Sequence, residues 1–441
     1  MKKNQLKKDL GLLPALSIVI GMVIGSGVFF MPTKVFGATG APGLGIIAWI
    51  LGGLISIAAG LTAAEVSAAI PKTGGMITYL KETYGDIWGY LLGWAQTLVY
   101  IPATMAALGM IFATQVVLLM GINEKMIPVI GIGAIIFLTI MNLLGSKTGG
   151  MIQTISTICK LVPLFAIIVI GFIKGDRGVA RLFPITMANK PFATALGSAL
   201  VATMFAYDGW ISVGNMAGEM KNPGKDLPKA IIGGLSVIML VYVVINIAYL
   251  FVLPAEVLAS TQTPATEVAN IIFGENGGKI ITIGILVSIF GTLNGFILTG
   301  PRVPYAMAVE NKLPASKWLS KIDPKFNTPI NSTILLSILA IIYTLSGNYG
   351  PLIDLLVFII WIFYVLTFIA VFVLRKNKPN IYRPYKVPLY PVVPILAIMG
   401  GLYIIVNTLI TQPKNSFLGI IITLVGVPIY MFRKNKFESV E

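Results

Sequence analysis

Long apolar runs, each closed by a short cluster of glycine, proline or charge, repeat from one end of this chain to the other. Runs of about 18 to 25 residues are long enough to cross a hydrocarbon core of about 30 Å as helices. Read against their breakers, they predict twelve spans, at residues 12–37, 43–70, 86–119, 127–144, 149–173, 193–219, 228–253, 279–300, 331–346, 351–374, 389–411 and 416–432. The third is expected to start from an interfacial stretch, because TYLKETYGDIWGY mixes charge with aromatics at its mouth. A β-barrel would alternate apolar and polar positions in short segments of about ten residues, and none appear.

Composition strengthens this reading. Of 441 residues 56% are hydrophobic and only 11% charged, far from the roughly 25% charged residues of soluble domains. The first run lacks a small-residue cleavage site and is followed by many more, so it is read as a retained helix, not a signal peptide. The single cysteine, Cys159, lies inside an apolar run and excludes an intramolecular disulfide. The net charge of +15 becomes an orientation signal. With both termini in the cytoplasm, 23 of the 32 Lys and Arg fall on the inner side, 8 fall outside, and Lys160 lies in a span. One outer loop resists, carrying Lys174, Arg177, Arg181 and Lys190 against Asp176. Anionic inner-leaflet lipid accounts for the basic balance, and nucleic acid is not an expected partner.

Two spans carry small or polar residues where a helix should be strongest. The first contains GMVIGSGVFF, with Gly25, Ser26 and Gly27 near its centre. Gly21 and Gly25 form a small-xxx-small pair that would also serve close helix packing. The sixth contains FAYDGW, Phe205 to Trp210. The two interruptions lie five spans apart, which points to an inverted-repeat transporter. Five is odd, so spans 1–5 and 6–10 would be inverted copies. The single transmembrane domain, 1–441, then divides into a first repeat at 1–173, a second at 193–374 and two accessory helices at 389–432.

A break in lipid strands peptide groups, tolerated only where they line a cavity or are buried in protein. The amides around Ser26 and Gly27 would form the positive end of a half-helix, suited to a carboxylate. The carbonyls of Val23 and Ile24 would suit an ammonium, so an α-amino acid matches the break without any charged side chain. Asp208 has two readings: an N-cap for the second half of span six, or a ligand for a substrate cation. Phe205, beside the break, is placed as a lid.

Lys160 sits about 11 residues from the Gly149 end of span five, roughly 16 Å along a helix. A lysine stem does not reach that far, so its ammonium should face the bundle interior. Pro163 just beyond it is expected to loosen the helix. The ammonium could take the place of a coupling sodium ion against unwound carbonyls, or carry a proton; both stand on the residues alone.

PKTGGMITYLKETYGDIWGYLLGW (71–94), GEMKNPGKDLPKAI (218–231) and PRVPYAMAVENKLP (301–314) resemble inner-loop signatures of the amino acid–polyamine–organocation (APC) transporters. GSGVF and FAYDGW resemble that family's unwound segments, and RPYKVPLYPVVP (383–394) resembles its L-type amino acid transporter branch. The likeness covers nearly the whole chain. It implies an all-α fold of twelve transmembrane helices in a five-plus-five inverted repeat with helices 1 and 6 broken. It also implies alternating access and sodium-independent exchange of small neutral L-amino acids such as alanine, serine and cysteine. A proton-coupled importer is the alternative on the same fold. The implied substrate-binding residues are Val23, Ile24, Gly25, Ser26, Gly27, Phe205, Ala206 and Asp208, with Lys160 and Tyr242 supporting them. No cofactor or metal is implied. Animal light chains of this branch carry a cysteine between spans three and four that bonds a heavy chain. Here that loop is MGINEKMIP (120–128), so no disulfide-linked partner is expected. An enzyme would need a nucleophile–base or metal constellation, and a channel a ring of like polar groups. Neither is found.

Overall fold

Prolines in the first turn open five of the long helices, where the missing N–H costs nothing and the fixed φ suits the start of a helix. The computed structural model describes residues 11–72, 74–176, 182–185, 191–326, 328–346 and 349–437. The elements are α1 (Leu12–Val23), α2 (Gly27–Thr39), α3 (Pro42–Ala69), α4 (Met76–Tyr84), α5 (Asp86–Ala95), α6 (Ile101–Met120), α7 (Ile127–Leu143), α8 (Ser146–Lys174) and α9 (Phe192–Ala206). They continue as α10 (Pro223–Val252), α11 (Ala255–Ser260), α12 (Pro264–Thr299), α13 (Arg302–Val309), α14 (Ser316–Leu319), α15 (Ile330–Thr344), α16 (Tyr349–Asn377), α17 (Val392–Thr411) and α18 (Pro413–Phe437). A π-helical turn, Gln96–Tyr100, joins α5 to α6, and a 3₁₀ segment, Trp210–Glu219, follows α9.

Among the described residues ten helices are long and apolar enough to cross a membrane, and α1 with α2, bent by 42°, makes an eleventh span. The ninth expected span is α15, a shorter apolar helix. The chain is therefore a multi-pass membrane protein. Three details differ from the sequence reading. The interfacial start of span three is a separate helix, α4, cut off by Gly85 at φ 101° and anchored where the Tyr84 hydroxyl donates to the Leu366 carbonyl at 2.7 Å. The helix that carries span eight, α12, begins earlier, at Pro264, but it turns sharply at Gly274 (φ 73°), so its leading segment belongs to the connection before the span. Finally, α8 runs unbroken through Pro163, which packs so closely on α12 that any side chain at Gly284 would meet its ring.

The outward face of α8 carries Ile155, Ile158, Val162, Phe165, Val169 and Ile173, all exposed. That three-and-four spacing marks a lipid-facing stripe, with Cys159 on the exposed side as well. Its other face buries Gln153, Thr157, Lys160, Leu164 and Ile167. Glycines let α3 approach its neighbours: a Cβ at Gly52 would meet Thr203, at Gly53 Met239, and at Gly60 Leu235. Small residues at helix contacts are the usual solution in lipid, where no hydrophobic force drives helices together. The half-helices pair crosswise, α2 against α9 and α1 against the 3₁₀ segment.

One end of the bundle is tied by ions. Buried Glu65 of α3 accepts two bonds from Arg375 of α16, at 2.9 and 2.7 Å, and one from the Val387 amide at 2.7 Å. The Arg375 guanidinium lies 3.8 Å from the Tyr390 ring centre. Arg383 gives the RPYKVP stretch a structural role, donating to the Leu374 and Lys378 carbonyls at the end of α16 alongside the backbone amides these already accept. Lys312, nearly buried, pairs with Asp86 and Glu310 at 2.6 Å each, and Lys81 reaches Glu310 at 2.8 Å. Burial pushes the Glu310 carboxyl up, but hydrogen bonds from Lys312 and Lys81 outweigh it and hold it below its ordinary value. Glu82 is held low by Lys72 and, more weakly, Lys378. Carboxyls depressed in the folded state stabilise it above their unfolded pKa and lose that effect as the pH falls through the folded value. The melting temperature in detergent should therefore drop steeply below about pH 4.5; a flat profile down to pH 3 would remove this network from the stability of that end.

Candidate functional site

Helix α1 stops at Val23, Ile24 takes an extended conformation (φ −72°, ψ 97°), and α2 restarts at Gly27 with Ser26 at its N-cap. Two contacts hold the break open. A Cβ on Gly27 would lie 2.5 Å from the Ala206 Cα, and one on Gly25 would lie 2.6 Å from the Thr292 hydroxyl. Glycine is required at both by close approach of a neighbour. The amides of residues 25–28 meet no backbone carbonyl among the described residues, as expected at a helix start. The Ser26 side chain makes no cap bond, so the peptide groups, not the hydroxyl, are what this loop offers.

On the other side, α9 ends at Ala206, and Gly209 at φ 106° turns the chain into the 3₁₀ segment. Both expected interruptions are present. The second half of span six is 3₁₀ where a helix restart was expected, and this changes the reading of Asp208. The N-cap position belongs to Gly209, and no side chain caps it. Instead the Asp208 carboxylate accepts the Tyr100 hydroxyl at 2.6 Å and the Tyr364 hydroxyl at 2.8 Å. It thus ties span six to the π turn of span three and to α16. The capping role is corrected on that geometry: both carboxylate oxygens point across the bundle toward tyrosines.

Lys160 is fully buried, and its three N–H donors find three acceptors: the Gly21 carbonyl at 2.7 Å, the Ile24 carbonyl at 2.6 Å and the Thr292 hydroxyl at 3.3 Å. The ammonium is therefore satisfied without water, which makes a mid-membrane charge tolerable. It clamps the carbonyl end of α1 to α8 and α12. Tyr242, buried on α10, stands between the two breaks. Its hydroxyl lies 2.8 Å from the Val23 carbonyl and 3.0 Å from the Ala206 carbonyl, so one proton serves both ends. Rings of Trp49 and Tyr207, centred 5.5 and 5.0 Å away, fix its direction. Tyr242→Phe should leave the fold intact, since the ring still packs, but lower exchange by about tenfold through loss of one net hydrogen bond of about 1–1.5 kcal/mol. Wild-type exchange rates in that variant would show the bridge to be dispensable.

Val23, Gly25, Ser26, Gly27, Phe205 and Asp208 line one small cavity, together with Met22, Thr104, Thr292 and Phe296. Ile24 and Ala206 are outside its lining and bound it through carbonyls already held by Lys160 and Tyr242. The Val23 and Ile24 carbonyls were expected to be open for an ammonium. Val23 accepts the Tyr242 hydroxyl and keeps one further lone pair, whereas Ile24 accepts both Lys160 and, at 3.3 Å, the Thr292 hydroxyl. The cavity measures about 20 Å³, room for a water or two and too small for an amino acid. Tyr100, Tyr364 and Thr292 belong to this candidate site and were not anticipated from the sequence. The π turn that aims Tyr100, of a kind common at functional sites, is not visible in the residues. Among the described residues no group of three or more His, Cys, Asp or Glu could hold a metal.

The amino acid permease family matches residues 10–431. The chain is 45% identical to the serine/threonine exchanger SteT of Bacillus subtilis, over 99% of each chain. It is 32% identical to the mouse Asc-type amino acid transporter 1, over 96% of this chain and 81% of that one. The mouse b(0,+)-type amino acid transporter 1 is 30% identical, over 98% of this chain and 89% of its own length. A family of transporters, not enzymes, thus accounts for nearly every residue, and the chain belongs to the amino acid permeases of the APC superfamily, alongside the L-type transporters.

Proposed function

We propose that this protein exchanges small neutral L-amino acids, such as alanine, serine and cysteine, across the plasma membrane without sodium. The observation that carries the reading is the Lys160 ammonium seated on the Gly21 and Ile24 carbonyls. A fixed cation at the negative end of α1 does electrostatically what a bound sodium ion would do there. In this reading the substrate carboxylate takes the amides around Ser26 and Gly27. Its ammonium takes the open lone pair of the Val23 carbonyl and reaches the Ile24 and Phe205 carbonyls in place of the Thr292 hydroxyl and the Asp208 amide, each 3.3 Å from its acceptor, and the Phe205 ring closes over it. The crosswise packing of half-helices supports the inverted repeat of 1–173 against 193–374, with 389–432 accessory. The basic bias supports cytoplasmic termini, although Arg177, Arg181 and Lys190, like the four N-terminal lysines, lie outside the described residues. Loop 120–128 carries no cysteine, so the protein works without a disulfide-linked heavy chain. The 45% identical serine/threonine exchanger and the Asc-type relative support small side chains.

Proteoliposomes test the reading. Uptake of labelled L-serine or L-alanine should require amino acid inside the vesicle and should not change when sodium is replaced by choline. Uptake into empty vesicles driven by an imposed pH gradient would establish the proton-coupled importer instead, and sodium dependence would remove the role given to Lys160.

A further inference from the structure

A second cavity, about 210 Å³, opens at the end of the bundle away from the ion pairs of Glu65 and Lys312. Its floor is the last turns of α6 and its walls are the leading segment of α12 and the start of the membrane-crossing part of that helix. Nothing in the central site uses it. Its lining sets Leu118 and Leu119 beside the polar side chains of Gln115, Thr263, Thr266, Asn270 and Thr282. Gln115 of α6 is 1% exposed; its Oε1 accepts the Thr266 hydroxyl at 3.3 Å, and its Nε2 has no partner. The Thr282 hydroxyl lies 3.3 Å from that of Thr266, and Asn270 faces the same space. At the mouth, Glu275 and Lys279 form an exposed ion pair at 2.9 Å.

A buried amide N–H without an acceptor costs about 1–3 kcal/mol, and a ligand oxygen in the cavity would relieve that cost. The lining offers one positive and one negative charge and no excess of either, and it is smaller than the roughly 300–1,000 Å³ of sites for larger ligands. We propose that it is a second binding site for a small zwitterionic amino acid. The ligand carboxylate meets the Gln115 amide and Lys279, its ammonium meets Glu275, and the threonine hydroxyls face its side chain. The identity of the ligand rests on the amino acid chemistry proposed for the chain; the site itself rests on the unpartnered amide and the cavity.

The position gives such a site a regulatory use. The connection leading into α12 is fastened to α2, where the Thr33 hydroxyl donates to the Thr261 carbonyl at 2.7 Å. A ligand spanning from α6 to this connection therefore joins the second half of the broken first span to its surroundings and holds the closed arrangement.

Equilibrium binding of labelled L-serine and L-alanine to the purified full-length protein tests this. Wild type should bind two equivalents of one of them, and the double variant Gln115→Leu with Lys279→Gln should bind one. Gly27→Val, in which the central site is blocked, should keep one saturable equivalent, weakened at least tenfold by adding Gln115→Leu. One equivalent in both wild type and double variant overturns the site, as does an absence of saturable binding in a monodisperse Gly27→Val protein. Wild type that exchanges neither amino acid in liposomes defeats the proposed transport instead, while the stoichiometry of Gln115→Leu with Lys279→Gln against wild type still decides the second cavity.

Discussion

Lys160→Met abolishes exchange, with a loss of at least a hundredfold, while the protein still inserts and elutes as a single species. Methionine nearly matches the stem of lysine, so the packing between α8 and α12 survives. What disappears is the donor for the Gly21 and Ile24 carbonyls. Each then loses its strong partner at about 1–3 kcal/mol, a sum of about 2–6 kcal/mol that brackets the roughly 2.7 kcal/mol of a hundredfold rate loss. The carbonyl end of α1 has no other lysine to turn to, and Thr292 reaches the same oxygens only at 3.3 to 3.4 Å. The helix end is expected to relieve this by drifting from α8, which cysteine accessibility at residues of α1 would detect. Wild-type turnover in Lys160→Met, with unchanged accessibility, would show that the ammonium has no part in transport.

Gly27→Val eliminates binding at the central site, lowering affinity at least a hundredfold. A Cβ at that position lies 2.5 Å from the Ala206 Cα, closer than real side chains come. The obstacle is backbone, so no rotamer change on the partner relieves it. Either α2 or α9 must move, at a cost of about 1–3 kcal/mol as for other overpacked contacts, and the amides that would hold a carboxylate move with it. Ser26→Ala is the matched contrast, expected to stay within a few-fold of wild type, because the Ser26 hydroxyl caps nothing. The comparison separates peptide groups from side chains as the source of recognition. Substrate affinity retained in Gly27→Val, or lost equally in Ser26→Ala, would contradict recognition by the bare amides.

Much of this site could be read without coordinates. A glycine–serine–glycine run and an aspartate–glycine pair stand out against an apolar background, because membrane helices punish unpaired peptide groups. Lys160 was equally legible, since its stem is too short to reach either interface from mid-span. Tyr242 came only from the family resemblance, and Tyr100 and Tyr364 were not legible at all: they sit among apolar residues as ordinary aromatic membrane residues do, and only their hydroxyls' partners set them apart. Asp208 shows the limit from the other side. Its place at the start of the second half of span six suggested a cap, yet two tyrosines from distant spans claim its carboxylate.

The sequence by itself determined that the chain crosses a membrane many times, where its helices break and which buried charge stands beside a break. These follow from local rules of length, hydropathy and backbone freedom, which each segment obeys alone. Only the tertiary structure decided who receives each freed group: Lys160 takes Gly21 and Ile24, Tyr242 takes Val23 and Ala206, and Asp208 turns to Tyr100 and Tyr364. Those pairs join residues 36 to 219 positions apart in the chain, and hydrogen bonds depend on distance and direction, which no one-dimensional pattern carries.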